Sequence, residues 1–272
     1  MSAAKSEPAV ATIVVPCFDE ARRLDLDAFR GFSETHPAYR FVLVNDGSRD
    51  GTLRLLQRLA DESLSFTVLD LARNRGKAEA VRAGLLAALD ATHATDGSAE
   101  INATHAPDTR PPFVGYLDAD LSTPLSALPE LLDVARAHDR FDVVMGARVQ
   151  LLGRQIQRNP LRHYAGRIFA TFASILLRMP VYDTQCGAKI LRVRPSLEAA
   201  LAVPFTSGWV FDVELLLRLA HERDRLGERP IDEAIYELPL HRWEDVQGSK
   251  VTFADFPRAL VELERLRRRY RP

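Results

Sequence analysis

Apolar and polar positions follow two rhythms along this chain, and the switches between them mark out strands and helices. Val10–Pro16 (VATIVVP) is a near-continuous β-branched run, the pattern of a parallel strand covered on both faces. Phe41–Val44, Phe66–Leu71, Phe113–Leu117, Asp142–Met145, Ala188–Val193 and Ile235–Leu240 are predicted as further strands. Helical spacing predicts helices over Asp25–Phe32, Leu53–Ser63, about Ala78–Ala91, Leu125–His138, Asn159–Met179 and Phe256–Tyr270, and Phe205–Arg223 starts with Ser-Gly-Trp and becomes a helix. Strand–helix alternation through the first half predicts an α/β fold, a mixed, mostly parallel sheet flanked by helices with right-handed crossovers. Two stretches break the rhythm. Met1–Pro8 reads as a disordered tail, and Thr92–Pro112, small, polar and proline-rich, as a mobile surface insertion. The expected organisation is a domain over 9–251 carrying that insertion, then a basic helix within 252–272.

In sheets of this kind the ligand sits beyond the carboxyl ends of the strands. Asp19, Asp46, Asn74–Lys77, the pair Asp118 and Asp120, and Arg148 all fall at such ends. Asp118 and Asp120 are two apart in extended chain, so their side chains converge on one side. Two anions that close repel each other, and a hard divalent cation, Mg²⁺ or Mn²⁺, relieves the conflict while taking substrate phosphate oxygens as well. Alone, Asp-x-Asp also reads as a merely polar strand end.

Composition narrows the choice of partner. Of 272 residues, 36 are Lys or Arg and 37 Asp or Glu, a net charge of −1 that gives no global attraction to nucleic acid. Cys17 and Cys186 lack the spacing of a metal or disulfide framework and read as buried small apolar groups in a cytoplasmic protein. No secretory signal is visible, and the longest apolar segment, Ile168–Leu177, has about half the residues needed to cross a bilayer. The Tyr164–Met179 helix reads either as a core helix or as a lip dipping into a lipid surface. The arginine-rich C-terminus suits either an anionic headgroup layer or its own helix dipole. Soluble or peripheral behaviour is the expectation, with membrane contact at the inner face of the cytoplasmic membrane.

Four segments, Val15-Pro16-Cys17-Phe18-Asp19-Glu20, Asn45-Asp46-Gly47-Ser48 with Asp50-Gly51-Thr52, Asn74-Arg75-Gly76-Lys77 and Asp118-Ala119-Asp120, together resemble the family 2 glycosyltransferases of GT-A fold. Gly146-Ala147-Arg148, Asp183-Thr184-Gln185-Cys186-Gly187, Trp209–Glu214 and Trp243 with Gly248-Ser249-Lys250 narrow the likeness to the polyprenyl-phosphate hexose synthases, the dolichyl-phosphate glucosyltransferase group in particular. The resemblance runs from about Thr12 to Val251, apart from 92–112. It departs in two places: the family's paired Asp-Asp-Gly-Ser is here Asn45-Asp46-Gly47-Ser48, and the relatives' transmembrane helices or anchor have no counterpart.

The resemblance implies an inverting transfer of a hexose, glucose from UDP-glucose, to a polyprenyl or dolichyl phosphate. Asp120 and Asp118 would hold the metal, Asp120 directly and Asp118 nearer the ribose. Pro16, Phe18, Asp19, Glu20, Asp46, Gly76, Lys77, Asp118, Ala119 and Gln185 would line the nucleotide-sugar site. Lys77 also reads as a solvated lysine at a helix start. Arg148, Arg158, Arg162, Asp183, Trp209, Trp243, Ser249 and Lys250 fall on the acceptor and phosphate side, and Arg148 is also placed in the catalytic set. Asp212 would be the base where one is required; it reads equally as a helix N-terminal acid. A soluble enzyme of the same fold acting on a hydroxyl, and an inactive nucleotide-sugar-binding module, are the competing readings.

Overall fold

The structure, a computed structural model, describes residues 9–90, 99–101, 110–157, 160–246 and 255–270. The chain divides into two compact units, 1–120 and 121–272.

In the first unit β1 (Ala11–Cys17), β2 (Tyr39–Asp46), β3 (Phe66–Leu71), β4 (Ala99–Ile101) and β5 (Phe113–Leu117) pair in the order β4-β3-β2-β1-β5. The β1/β2, β1/β5 and β2/β3 pairs are parallel, and only β4 runs antiparallel, against β3. Register follows from burial: Ile13 lies beside Phe41 and Gly115, Val14 beside Val42 and Tyr116. These side chains are nearly inaccessible, as expected of strands covered on both faces. Helices α1 (Leu26–Thr35), α2 (Thr52–Glu62) and α3 (Lys77–Leu89) supply the cover. Asp25 starts α1 by accepting the Ala28 amide at 2.9 Å, and Phe29 and Phe32 of that helix meet Phe41 edge-on.

In the second unit β6 (Val143–Ala147) lies between β8 (Ala188–Arg192), antiparallel to it, and β9 (Ile235–Pro239), parallel to it. Short strands β7 (Gln155–Gln157) and β10 (Arg242–Glu244) form a separate parallel pair. Six helices complete the described part: α4 (Ala127–Ala137), α5 (Pro160–Leu177), α6 (Pro195–Leu201), α7 (Phe211–Leu226), α8 (Ile231–Ala234) and α9 (Asp255–Arg269). The pairing is mixed and mostly parallel, as the alternation predicts.

Some expectations are corrected. Helix α7 begins at Phe211, after the Ser-Gly-Trp stretch as expected, and runs on to Leu226 rather than Arg223; the Glu214 carboxylate gathers the Thr206 and Ser207 amides and hydroxyls at 2.7–3.1 Å and holds the preceding stretch off the helix axis. The polar loop expected from His241 contains β10, and α6, α8 and β7 were not predicted. Within the 92–112 insertion, Ala99–Ile101 forms β4, while 92–98 and 102–109 lie outside the described residues, as does the 1–8 tail. Among the described residues, no helix is long and apolar enough to cross a membrane.

Candidate active site

The strand ends of the first unit are stitched together by their own polar groups. The Asp19 amide donates to the Ser48 hydroxyl (3.1 Å) and its carboxylate accepts the Arg49 amide (2.8 Å). The Glu20 amide donates to Thr52 Oγ1 at 2.8 Å, and the Glu20 side chain pairs with Arg23. Asp19 adopts φ 48°, a left-handed conformation uncommon for a residue with a side chain. Phe18 on the same loop and Pro16 near the end of β1 are half-buried.

Asp46, at the end of β2, is almost wholly buried, and its two oxygens accept the Arg75 and Gly76 amides at 2.7 and 2.9 Å. Burial pushes its carboxyl above the ordinary value, with the two amides working in the opposite direction. The carboxylate thus clamps the loop that opens α3. Gly76 stands before that helix at φ 88°, and Lys77 is its first residue. Gly47 lets the two loops approach: at φ 63°, a Cβ there would lie 2.3 Å from the Asn74 nitrogen.

Lys77 Nζ reaches Asp118 Oδ1 at 2.5 Å beyond β5. The contact is electrostatic; that buried oxygen has no hydrogen-bond donor aligned on it. Ala119 is buried, Asp118 and Asp120 are half-buried, and Leu121 after them is left-handed at φ 51°. Among the described residues no group of three or more His, Cys, Asp or Glu is placed to hold a metal. If this pair held a metal, the protein would supply at most two carboxylates, a donor set that fits a hard cation completing its shell with phosphate oxygens and water.

In the second unit Arg148 leaves β6 and makes a fork on Asp183, Nε to Oδ2 at 2.6 Å and Nη2 to Oδ1 at 2.7 Å, while its amide also donates to Oδ2. The guanidinium lies 5.3 Å from the Trp243 ring centre. The amides of Tyr182 and Asp183 donate to Glu237 of β9, each at 2.7 Å, and burial raises the Glu237 carboxyl. Lys189, fully buried on β8, donates to the carbonyls of Thr184 and Cys186 and, at 2.5 Å, to Asp212 Oδ1. Asp212 stands in the first turn of α7, and one of its oxygens is thus committed to an ammonium. Gln185 Nε2 is buried without a hydrogen-bond partner. Trp209 packs edge-on against Phe169, and its amide donates to Glu262 of α9.

Both cysteines are buried, and burial lifts the Cys186 thiol to about 11, which suits a packing role. Arg158, Ser249 and Lys250 lie outside the described residues; Arg162 falls within α5, with only its backbone described. Sequence reasoning missed Lys189, Glu237 and Asp70, which accepts from the Asn45 side chain at 2.6 Å. The available signal was a charge inside an otherwise apolar strand, as in Ala188-Lys189-Ile190-Leu191.

Comparison with known proteins agrees with this fold. Dolichyl-phosphate beta-glucosyltransferase of Saccharomyces cerevisiae is 26% identical over 263 residues, covering 89% of this chain and 69% of that protein. The Mus musculus protein of the same name is 28% identical over 251 residues, covering 88% and 69%. Among solved structures, glucosyl-3-phosphoglycerate synthase from Mycobacterium tuberculosis in complex with Mn²⁺ and uridine-diphosphate-glucose superposes with a TM-score of 0.59 at 15% identity, over 95% of this chain and 79% of that one. The family described as Glycosyl transferase family 2 matches residues 12–198, more than half of the sequence. The chain belongs to glycosyltransferase family 2 and is a glycosyltransferase of GT-A fold.

Proposed function

We propose that this enzyme moves a hexose, glucose by analogy with its relatives, from a nucleoside diphosphate sugar, UDP-glucose, to a polyprenyl or dolichyl phosphate with inversion, as a peripheral protein at the inner face of the cytoplasmic membrane. The carrying observation is the acid couple Asp118 and Asp120 beyond β5, with the Lys77 ammonium 2.5 Å from Asp118 at the opening of α3. A lysine beside the N-terminus of a 13-residue helix is a natural seat for diphosphate charge. Asp46 holds that seat in place through the Arg75 and Gly76 amides. Pro16, Phe18 and Asp19 border the nucleoside on the neighbouring loop, with Glu20 fixing the loop through Arg23.

Asp120, with Asp118, would hold Mg²⁺ or Mn²⁺, which when bound supplies Lewis-acid neutralisation of the departing diphosphate. On the acceptor side Arg148, Trp243 and Asp183 are the described groups, with Trp209 near the start of α7. Arg158, Arg162, Ser249 and Lys250 are assigned there by resemblance. A phosphomonoester arrives already largely dianionic near neutral pH and needs no strong base. A hydroxyl does need one. The commitment of Asp212 Oδ1 to Lys189 therefore favours the phosphate acceptor over a hydroxyl.

The test is a panel of labelled nucleotide sugars, with and without Mn²⁺ and a polyprenyl phosphate. Transfer from UDP-glucose to the lipid phosphate is expected, falling on the order of a hundredfold in Asp120→Asn. Label appearing only on soluble hydroxyl acceptors refutes the lipid reading. Donor binding without turnover on any acceptor refutes the enzymatic one.

A further inference from the structure

Helix α5 is two-faced, and its outer face is not polar. Phe169, Ala170, Ala173 and Leu177 are buried on the inner side, where the helix packs against α7 and α9. On the other side Tyr164 is 69% exposed, Ile168 51%, Phe172 48% and Ile175 68%. Their spacing of four, four and three places them along one stripe. From Tyr164 to Ile175 the stripe runs about 16 Å. A soluble surface tolerates scattered apolar residues, whereas a continuous large apolar row marks a contact site.

The charge around the stripe says what covers it. Setting aside Arg148, which is paired with Asp183, the chain from Val149 to Tyr182 has five arginines and no aspartate or glutamate among 34 residues. The overall content of 37 acids in 272 residues would place about five there. This is a local excess of positive charge in a chain whose net charge is −1. Arg178, just beyond the stripe, is exposed, and so are Leu151 and Leu152 in the turn before β7. A second copy of the same face would bring arginine-rich, acid-free stretches together, and like charges oppose that docking. An anionic lipid surface complements both features at once. Apolar side chains enter the acyl boundary, the exposed Arg178 stays with the headgroups, and Tyr164 at the stripe's end suits the interface itself.

We propose that the outer face of α5 is a membrane-docking surface, lying in the plane of an anionic bilayer with Ile168, Phe172 and Ile175 inserted. The proposal deepens the lipid-phosphate reading and rests on it for its purpose: docking there would keep the enzyme on the surface that carries its acceptor. The in-plane orientation follows from the helix, whose inner face belongs to the protein core and cannot face lipid.

The experiment floats the full chain on vesicles of phosphatidylcholine, with and without phosphatidylglycerol, in the absence of any acceptor. Binding to the anionic vesicles is expected, weakened by salt at about 0.5 M. Ile168→Glu with Phe172→Glu should lower the bound-to-free ratio on the order of tenfold to a hundredfold, while Ile168→Ser with Ile175→Ser lowers it less. Circular dichroism and the thermal midpoint should match the parent, and transfer to a short-chain, water-soluble prenyl phosphate should persist. No flotation of the parent, or equal flotation of both variants, overturns the surface. A dimer dissolved by the same substitutions also overturns it, in favour of a second copy. Flotation that depends on the stripe, without transfer to any prenyl phosphate, sinks the acceptor reading and leaves the surface standing.

Discussion

Replacing Lys189 with Met tests whether Asp212 is held by structure or kept for chemistry. The ammonium is fully buried and serves three acceptors: the Thr184 carbonyl at 2.9 Å, the Cys186 carbonyl at 2.8 Å and Asp212 Oδ1 at 2.5 Å. Removing one member of a buried ion pair typically costs about 3–5 kcal/mol, because the remaining charge has no compensation. The two carbonyls lose their donor as well, each worth about 1 kcal/mol. Lys189→Met is therefore expected to lose about 5–7 kcal/mol, a large share of a domain's typical ~5–15 kcal/mol. Asp212→Leu alone strands the ammonium and should cost about 3–5 kcal/mol. The double variant removes both charges, and its loss should fall short of the summed singles by at least about 1 kcal/mol. Urea unfolding of the four proteins closes the cycle, with turnover measured on each. Additive losses, with a coupling below about 0.5 kcal/mol, would falsify the pairing. If the double variant regains stability and substantial turnover on a phosphate acceptor, Asp212 is a strut. A folded but inactive double variant identifies it as a group the reaction needs.

Gly47→Ala places a Cβ 2.3 Å from the Asn74 nitrogen at φ 63°. It should cost about 3 kcal/mol or more and weaken UDP binding through the displaced 73–76 loop; a parent-like urea midpoint would refute this. Glu237→Gln should change the pH dependence of stability. Burial raises the folded-state carboxyl above its unfolded value, so its contribution is fully present below the ordinary carboxylate range and is lost as pH rises through the raised value. The stability difference, parent minus variant, should therefore shrink between mildly acidic and neutral pH in paired urea titrations, and a difference that widens contradicts the assignment.

How much of this was legible in the sequence depends on where each residue's partner lies. The β-branched run at Val10–Pro16 and the strands Phe66–Leu71 and Phe113–Leu117 were readable because burial on both faces imposes a local, continuous pattern. The start of α7 after Ser207-Gly208-Trp209 was readable too, but what holds the preceding stretch was not, since Glu214 and Glu262 do so through backbone amides. Strands β7 and β10, three residues each, are too short to show a period. Asp118 and Asp120 were visible as a motif, but the extended chain expected to align them stops at Leu117, and residues 119 and 120 lie in the turn beyond β5. The clamp by Asp46 was invisible, since its donors lie 29 and 30 residues away and are backbone amides, which leave no trace in side-chain identity. The same holds for Glu237, whose amides are 54 and 55 residues distant.

That asymmetry bears on the chemistry. Asp46 spends its oxygens on two amides, Asp183 on a guanidinium fork, Glu237 on two amides, and Asp212 has one oxygen on a buried lysine. Each is a poor candidate for abstracting a proton, since taking one up would disrupt a contact that shapes a loop. An enzyme whose acids are occupied in this way is best suited to an acceptor that supplies its own negative oxygen. On the proposed function its remaining task would be to stabilise the leaving diphosphate, which would fall to Lys77 and to a cation held by Asp118 and Asp120. On this view the rate should depend steeply on groups that bind the departing phosphates and only weakly on any single carboxylate of the second unit. A systematic Asp→Asn and Glu→Gln series, scored as kcat on a prenyl phosphate against unfolding free energy, separates the two. Losses at 183, 212 and 237 should track stability, and the loss at 120 should not.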